Sequence, residues 1–246
     1  QNKKDLEGGI RAWEGLLAGA LRFFQLGLRP LTEGEATQAL AALNFSHGAI
    51  QTAPAGTVPA LFTGNVAAFT LFGGGDAVAR WLPAIAGLIL ALLPYGLRGR
   101  LGQGGALAAS LLLALSPVAV YYSRALDGAI LVATCGLAVV VGLINYLDSR
   151  RPVHLYLAAA ALGVGLCAGP AMLTLALILG IYAAWLVISA RRPALTEAWT
   201  AARNEPGLPT KLGVTLAAAF GLAATTFVLH PAGIGNAADL FGAWIR

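Results

Sequence analysis

The fold class is decided by the stretch at residues 81–100, WLPAIAGLILALLPYGLRGR. Residues 81–97 carry no charge, and Arg98 and Arg100 follow them directly. A transmembrane helix needs about 20 mostly apolar residues, with a range of roughly 17–25. Basic residues beside such a run are typical of a helix that ends at a membrane surface. The stretch therefore predicts a membrane-spanning helix.

The composition of the whole chain agrees with this prediction. Of its 246 residues, 58% are hydrophobic and 11% are charged, and the mean hydropathy is +0.74. Soluble domains are nearer about 45–50% apolar and about 25% charged. This excludes an ordinary soluble enzyme and a disordered protein. Cys135 and Cys167 lie inside apolar runs, so we interpret them as small buried hydrophobes and not as metal ligands or a disulfide.

Counting apolar segments predicts an all-α, polytopic membrane protein with about seven transmembrane helices. Residues 58–72 are short and contain Thr63, Gly64 and Asn65, so we expect them to lie on or dip into the membrane without crossing it. The first span carries Arg11, Glu14 and Arg22. We expect the side of the helix that carries them to face protein. An amphipathic helix on the membrane surface is the alternative. The predicted spans are residues 10–28, 81–97, 105–122, 128–147, 153–167, 171–189 and 212–229.

Basic residues gather in alternate connections between these spans, which predicts a multi-pass plasma-membrane protein with a cytoplasmic N-terminus. The net charge of +5 then reflects topology and anionic lipid headgroups, and we predict no nucleic-acid partner. The outer side holds Arg29, Arg80 and Arg124, with Arg246 at the far end of the chain. The basic residues of the inner side are Lys3, Lys4, Arg11, Arg98, Arg100, Arg150, Arg151, Arg191, Arg192, Arg203 and Lys211.

Residues 1–246 are interpreted as a single membrane module with two notable outer loops. The first loop covers about residues 30–79, and the second loop covers about residues 121–127. We expect juxtamembrane amphipathic helices in the first loop. Because the chain does not begin with Met, we expect a fragment or a shortened relative of a longer protein.

The run Thr32-Glu33-Gly34-Glu35 in the first loop predicts the start of a helix that continues to about Leu43. Thr32 and Glu35 have the spacing of a capping box, in which each side chain bonds the backbone of the other residue. Two interpretations of the carboxylates stay open. Glu33 and Glu35 favour the positive N-terminus of the helix, or one of them accepts a proton from a substrate.

The second loop closes the stretch SPVAVYYSRALD, residues 116–127. We expect a helix that is loosened by Pro117 and ends at Tyr122. Arg124 and Asp127 are three residues apart and can pair with each other. Alternatively, Arg124 holds a phosphate and Asp127 ligates a divalent cation, which it could share with His230.

Three stretches together resemble the N-terminal membrane module of GT-C superfamily glycosyltransferases. The branch is that of protein O-mannosyltransferases and lipid A aminoarabinose transferases, with their prokaryotic relatives. Residues 31–42 are similar to the family's Asp-Glu-Ala motif. LFGGGDAVARWLPA at residues 71–84 is similar to its Phe-Gly … Ala-Arg-Leu-Pro segment, and residues 115–127 complete the match.

The resemblance implies sugar transfer from a polyprenyl-phosphate donor to an acceptor on the outer membrane face. Glu35, or Glu33 beside it, is then the catalytic base, because the family's Asp falls on Gly34. Arg80 and Arg124 would bind the lipid phosphate, and Asp127 with His230 would hold a divalent cation if one is used.

Two other functions stay open at this point. The chain could be a non-catalytic structural subunit of a larger membrane complex, since it lacks the family's Asp. Its helices rich in small residues, such as residues 157–165, could pack closely against other membrane subunits. A transporter is the third possibility, although apart from Glu14 and Arg22 the predicted spans lack internal charge.

Overall fold

The computed structural model describes residues 2–49, 57–188, 197, 200–203 and 205–245, and every regular element in this part of the chain is a helix. The predicted all-α class is confirmed. A 3₁₀ turn at Leu93–Leu97 precedes α6. The helices are α1 (Asn2–Phe23), α2 (Glu33–Ser46), α3 (Pro59–Phe72), α4 (Asp76–Ala79), α5 (Trp81–Leu92), α6 (Arg98–Leu115), α7 (Pro117–Ser123), α8 (Ala129–Ser149), α9 (Pro152–Leu166), α10 (Ala171–Ile188), α11 (Leu208–Ala224) and α12 (Gly233–Ile245).

The chain divides into two compact units. The first comprises Gln1–Thr57 and Leu61–Thr134, and the second comprises Val58–Ala60 and Cys135–Arg246. Apart from Val58–Ala60, both predicted loops lie in the first unit. The interpretation of residues 1–246 as a single module stays a prediction.

In the part of the chain that the structure describes, two helical stretches are long and apolar enough to cross a membrane, Trp81–Leu115 and Ala129–Ser149. The shorter apolar helices, of 10–17 residues, are α3, α9, α11 and the Ala171–Trp185 part of α10. The count of about seven spans stays a prediction. Arg191 and Arg192, which contributed to the predicted topology, lie outside the described residues.

The stretch Trp81–Leu115 forms two packed helices. Ala91 of α5 and Ala114 of α6 lie in one buried cluster with Ala18 of α1. Between α5 and this part of α6, the 3₁₀ turn and Gly102 redirect the chain. Gly102 has φ 71°, a conformation that glycine adopts without steric cost. This agrees with the prediction of separate helices before and after Arg98 and Arg100.

One local prediction was wrong. The helix expected over residues 105–122 ends at Leu115, because Pro117 disfavours a helical conformation at Ser116. Ser116 instead caps α7, and its Oγ accepts a hydrogen bond from the Ala119 N–H at 3.3 Å. Residues 59–72, expected not to cross the membrane, form the continuous helix α3 with Thr63 and Asn65 buried.

Glu14 and Arg22 of α1 face protein, as expected, whereas the side chain of Arg11 lies outside the described part of the structure. Arg22 is fully buried, and its guanidinium donates hydrogen bonds to the carbonyls of Ala18, Leu113 and Ala114 at 3.1, 3.2 and 3.3 Å. Glu14 is also buried. Arg22 therefore joins α1 to the end of α6, just before the chain enters α7 and the second loop.

Candidate functional site

An ion pair between Glu35 and Arg80 lies at the centre of the candidate site. Arg80 Nη2 is 2.8 Å from Glu35 Oε2, and their side chains are 3% and 11% exposed. Arg80 sits between α4 and α5, where its guanidinium also donates to the carbonyls of Leu26, Arg29 and Pro30 at 3.3, 2.6 and 3.3 Å. The pair therefore fastens the chain between α1 and α2 to the start of α5.

Glu35 has partners on two more segments. Its Oε2 accepts the Thr32 N–H at 2.9 Å, and the predicted capping box at the start of α2 is present. Its Oε1 accepts the backbone N–H of Leu126 in the second loop at 2.7 Å. One carboxylate thus joins α2, Arg80 and the second loop.

These contacts decide the charge state of Glu35. Burial would raise the pKa of its carboxyl, but hydrogen bonds from Arg80, Leu126 and Thr32 and the charge of Arg80 outweigh burial. They lower the pKa from the usual 4.5 to about 2. The Glu35 carboxylate therefore stays negatively charged at neutral pH and has a low affinity for protons.

Arg124 and Asp127 do not pair with each other; each binds the end of a helix. Arg124 Nη1 donates to the carbonyls of Leu21 and Phe24 at 3.0 and 2.8 Å, and its Nη2 donates to that of Gln25 at 3.3 Å. These carbonyls belong to the C-terminal end of α1, where a cation is favoured. Asp127 Oδ1 accepts the Ala129 N–H at 2.7 Å, at the start of α8.

The two loops enclose a cavity of about 490 Å³, which we call the loop cavity. Glu35, Arg80, Arg124 and Asp127 all line it, so the structure brings these predicted site residues together. Its wall also contains Leu26, Arg29, Thr32, Gly34, Gln38, Tyr121, Tyr122, Ala125 and Leu126.

Arginines dominate the charge of the loop cavity. Arg29, Arg80 and Arg124 line it, against the carboxylates of Glu35 and Asp127. The sequence had assigned these three arginines to the outer side but had not proposed Arg29 for the site. Arg29 is exposed and makes no hydrogen bond or ion pair through its side chain with the residues that the structure describes. It is therefore a cation available to a ligand.

Gly34 lines the loop cavity at the position where the resemblance places an Asp. A Cβ added there would meet nothing within 4 Å, so a side chain has room at this point. Glu33, the neighbouring candidate base, is exposed and does not line the cavity. Its catalytic role stays a prediction.

The cation site predicted at Asp127 and His230 stays a prediction. Asp127 lies in the first unit and His230, which is buried, lies in the second. Across the described ranges, no three His, Cys, Asp or Glu side chains are grouped so that they could hold a metal ion. Asp127 also uses one oxygen to bind the N-terminus of α8. We therefore derive no step through a metal.

A second cavity of about 360 Å³ lies along the other side of α2. Its wall is mostly apolar and includes Leu40 and Leu43 of α2 and Phe69 of α3, with Asp76 at one edge. We call it the apolar groove. Pro30 and Leu31 line the groove, while the neighbouring Arg29 and Thr32 line the loop cavity.

An all-helical apolar chain whose loops enclose an arginine-rich cavity is typical of a membrane protein that handles an anionic ligand. Residues 60–202 match the dolichyl-phosphate-mannose-protein mannosyltransferase family, and this range is more than half of the chain. The chain belongs to this family of membrane-embedded, GT-C-type glycosyltransferases. Comparisons with curated proteins and with solved structures give no match.

The matched range includes Arg80, Arg124 and Asp127 but not α2. The family match therefore includes Arg80 and the second loop but not the residues that α2 contributes to the loop cavity. The assignment of Gly34 to the family's Asp position stays a prediction.

Proposed function

We propose that the chain transfers a sugar from a polyprenyl-phosphate donor to an acceptor hydroxyl in the loop cavity. The observation that carries the proposal is the convergence of Arg29, Arg80 and Arg124 on one cavity in a chain of this family. Sugar transfer releases a lipid phosphate, and fixed positive charge stabilises that leaving group in the transition state.

The arginines have different tasks in this proposal. Arg80 and Arg124 are fixed by backbone carbonyls, so they contribute positive charge from set positions. Arg29 has a free guanidinium, which can bind two phosphate oxygens at once. The apolar groove supports this arrangement, because a prenyl chain needs an apolar surface beside the site that holds its phosphate.

The side of the membrane follows from the alternation of basic residues in the sequence. We propose that both loops face the outside of a plasma membrane, with the N-terminus cytoplasmic. For the identity of the sugar and of the acceptor, the family description favours mannose and a hydroxyl group of a protein.

The two candidate bases, Glu33 and Glu35, have different surroundings. Glu35 has hydrogen-bond partners on both oxygens and a pKa of about 2, so its geometry favours a positioning role. Glu33 has an accessible carboxylate but lies off the cavity wall. Replacing each residue by Gln and measuring mannosyl transfer tests both assignments.

The function is tested with the full chain purified into lipid vesicles, supplied with dolichyl-phosphate mannose and a threonine-rich peptide. We expect mannosyl peptide to form. In Arg29→Ala the KM for the donor should rise about 10-fold or more, because a hydrogen-bonded charge pair contributes about 1.5–3 kcal/mol. Arg98→Ala is the matched control, since Arg98 is also exposed but lies away from the loop cavity.

The alternative is a non-catalytic subunit of a membrane complex. It would be favoured if the wild-type chain neither transferred mannose nor bound the donor, and if it co-purified with other membrane proteins at a fixed ratio. An Arg29→Ala variant with an unchanged donor KM would contradict the phosphate assignment alone.

A further inference from the structure

We propose that Asp127 is the carboxylate that takes the proton from the acceptor hydroxyl. The assignment rests on the proposed function, and it names a catalytic residue that the sequence had considered only as a metal ligand or as a partner of Arg124. It follows from three features of the loop cavity: the position of Asp127, its free oxygen and the space in front of Gly34.

The position comes from a short hydrogen bond between the loops. The Leu126 N–H donates to Glu35 Oε1 at 2.7 Å. Asp127 follows Leu126 and Gly34 precedes Glu35, so this bond joins the two segments that carry them. Both residues line the loop cavity.

Asp127 is also the available carboxylate on this wall. Glu35, the other acid that lines the cavity, accepts hydrogen bonds on both oxygens. Asp127 is exposed and accepts one bond, from the Ala129 N–H to Oδ1. Its Oδ2 has no partner among the described residues, so a hydroxyl in the cavity can donate to it.

The space for that hydroxyl lies at Gly34. Because an added Cβ would meet nothing within 4 Å, the first turn of α2 leaves room for an acceptor side chain. An acceptor placed there enters the cavity that Asp127 and the three arginines also line. A general base must be within hydrogen-bond reach of the proton that it removes.

The step balances without a further reactant. The acceptor oxygen forms a bond to the anomeric carbon of the donor sugar, and its proton passes to Asp127 Oδ2. The bond between the anomeric carbon and the phosphate oxygen breaks, and its electron pair leaves with the polyprenyl phosphate. Asp127 then releases the proton to water.

Asp127→Asn is the test variant, because Asn keeps an oxygen that can accept the Ala129 N–H and is an equally good residue at a helix N-terminus. We expect kcat for mannosyl transfer to fall about 10²–10⁴-fold while the donor KM changes little. Asp239→Asn is the control: it removes an exposed acid in α12 that lines neither cavity, and it should leave kcat unchanged.

A second variant keeps the test independent of folding. The double variant with Asp127→Asn and Gly34→Asp carries a carboxylate in the same cavity. We expect its kcat to be at least tenfold higher than that of Asp127→Asn alone. Transfer by Asp127→Asn at the wild-type rate would overturn the assignment while leaving the proposed function intact. Restoration of that variant by added Mg²⁺ or Mn²⁺ would mark a metal ligand and would also overturn it. A wild-type chain with neither transfer nor donor binding would overturn both proposals.

Discussion

Glu35 shows how one side chain organises a site. It fastens Arg80, the start of α2 and the second loop through short hydrogen bonds. A buried ion pair adds stability only when the remaining donors and acceptors also find partners. Five backbone groups bind the pair, namely those of Leu26, Arg29, Pro30, Thr32 and Leu126. Among the described residues, the buried Arg80 Nε is the part of the pair that has no partner.

Glu35→Gln should lower the free energy of unfolding by about 3 kcal/mol at pH 7, because it leaves the buried Arg80 charge without its partner. The folded-state pKa of Glu35 lies near 2, below the usual 4.5, so the stabilisation is complete above about pH 4.5. It is lost as the pH falls toward 2. The gap between wild type and variant should therefore be wide at pH 7 and narrow at pH 3, as measured by thermal unfolding.

The exposed neighbour Glu33 supplies the control for this measurement. Glu33→Gln should change stability by less than about 0.5 kcal/mol at either pH. A Glu35→Gln protein as stable as wild type at pH 7 would show that the ion pair does not hold the loops together.

At the scale of elements, loop side chains bind the ends of helices in the first unit, and two helices pack closely in the second unit. Arg124 binds the end of α1, and Asp127 binds the start of α8, so both loop charges also order the backbone. In the second unit, α9 and α11 approach closely at Gly163. A Cβ on Gly163 would lie 2.7 Å from the Leu216 carbonyl oxygen and 3.0 Å from the Ala219 Cβ.

Gly163→Ala should therefore force α9 and α11 apart and destabilise the second unit by about 1–3 kcal/mol. Gly221→Ala in α11 is the matched control, because an added Cβ there meets nothing within 4 Å. It should be neutral or slightly stabilising, since Ala has a higher helix propensity than Gly. Thermal unfolding of both variants in detergent makes the comparison, and equal loss in the two would contradict close packing at Gly163.

At the scale of the whole molecule, the open question is which side of the membrane each loop faces. The sequence predicts that α3 does not cross, because a crossing would place Arg98 and Arg100 on the outer side and end the alternation of basic residues. The 14 residues of α3 span only about 21 Å as a helix, less than the roughly 30 Å of the hydrocarbon core.

Single cysteines introduced into a Cys135→Ala, Cys167→Ala background test this topology. A membrane-impermeant thiol reagent added to intact cells should label Gly74→Cys, in the first loop, but not Gly99→Cys, at the start of α6. Both glycines are exposed, so accessibility alone does not separate them. Labelling of Gly99→Cys from outside would show that α3 crosses the membrane.

Local patterns in the sequence determined the helical class and the capping box of α2. Both concern residues that are close in the chain, so spacing and hydropathy suffice. The sequence also predicted one membrane side for Arg29, Arg80 and Arg124, but the fold decided that they line one cavity. The break before α7 was underestimated, because Pro117 disfavours a helical conformation at Ser116 and ends α6 at Leu115.

Only the tertiary structure decided what the acidic residues do. Glu35 meets Arg80 across 45 residues and Leu126 across 91 residues of sequence, and no periodicity carries information over such distances. These contacts hold Glu35 as an anion, and among the described residues they leave one oxygen of Asp127 without a partner, in the cavity that Gly34 also lines. The sequence supplied the charged groups of the site, but which of them are bonded and which are available depends on how helix ends meet in space.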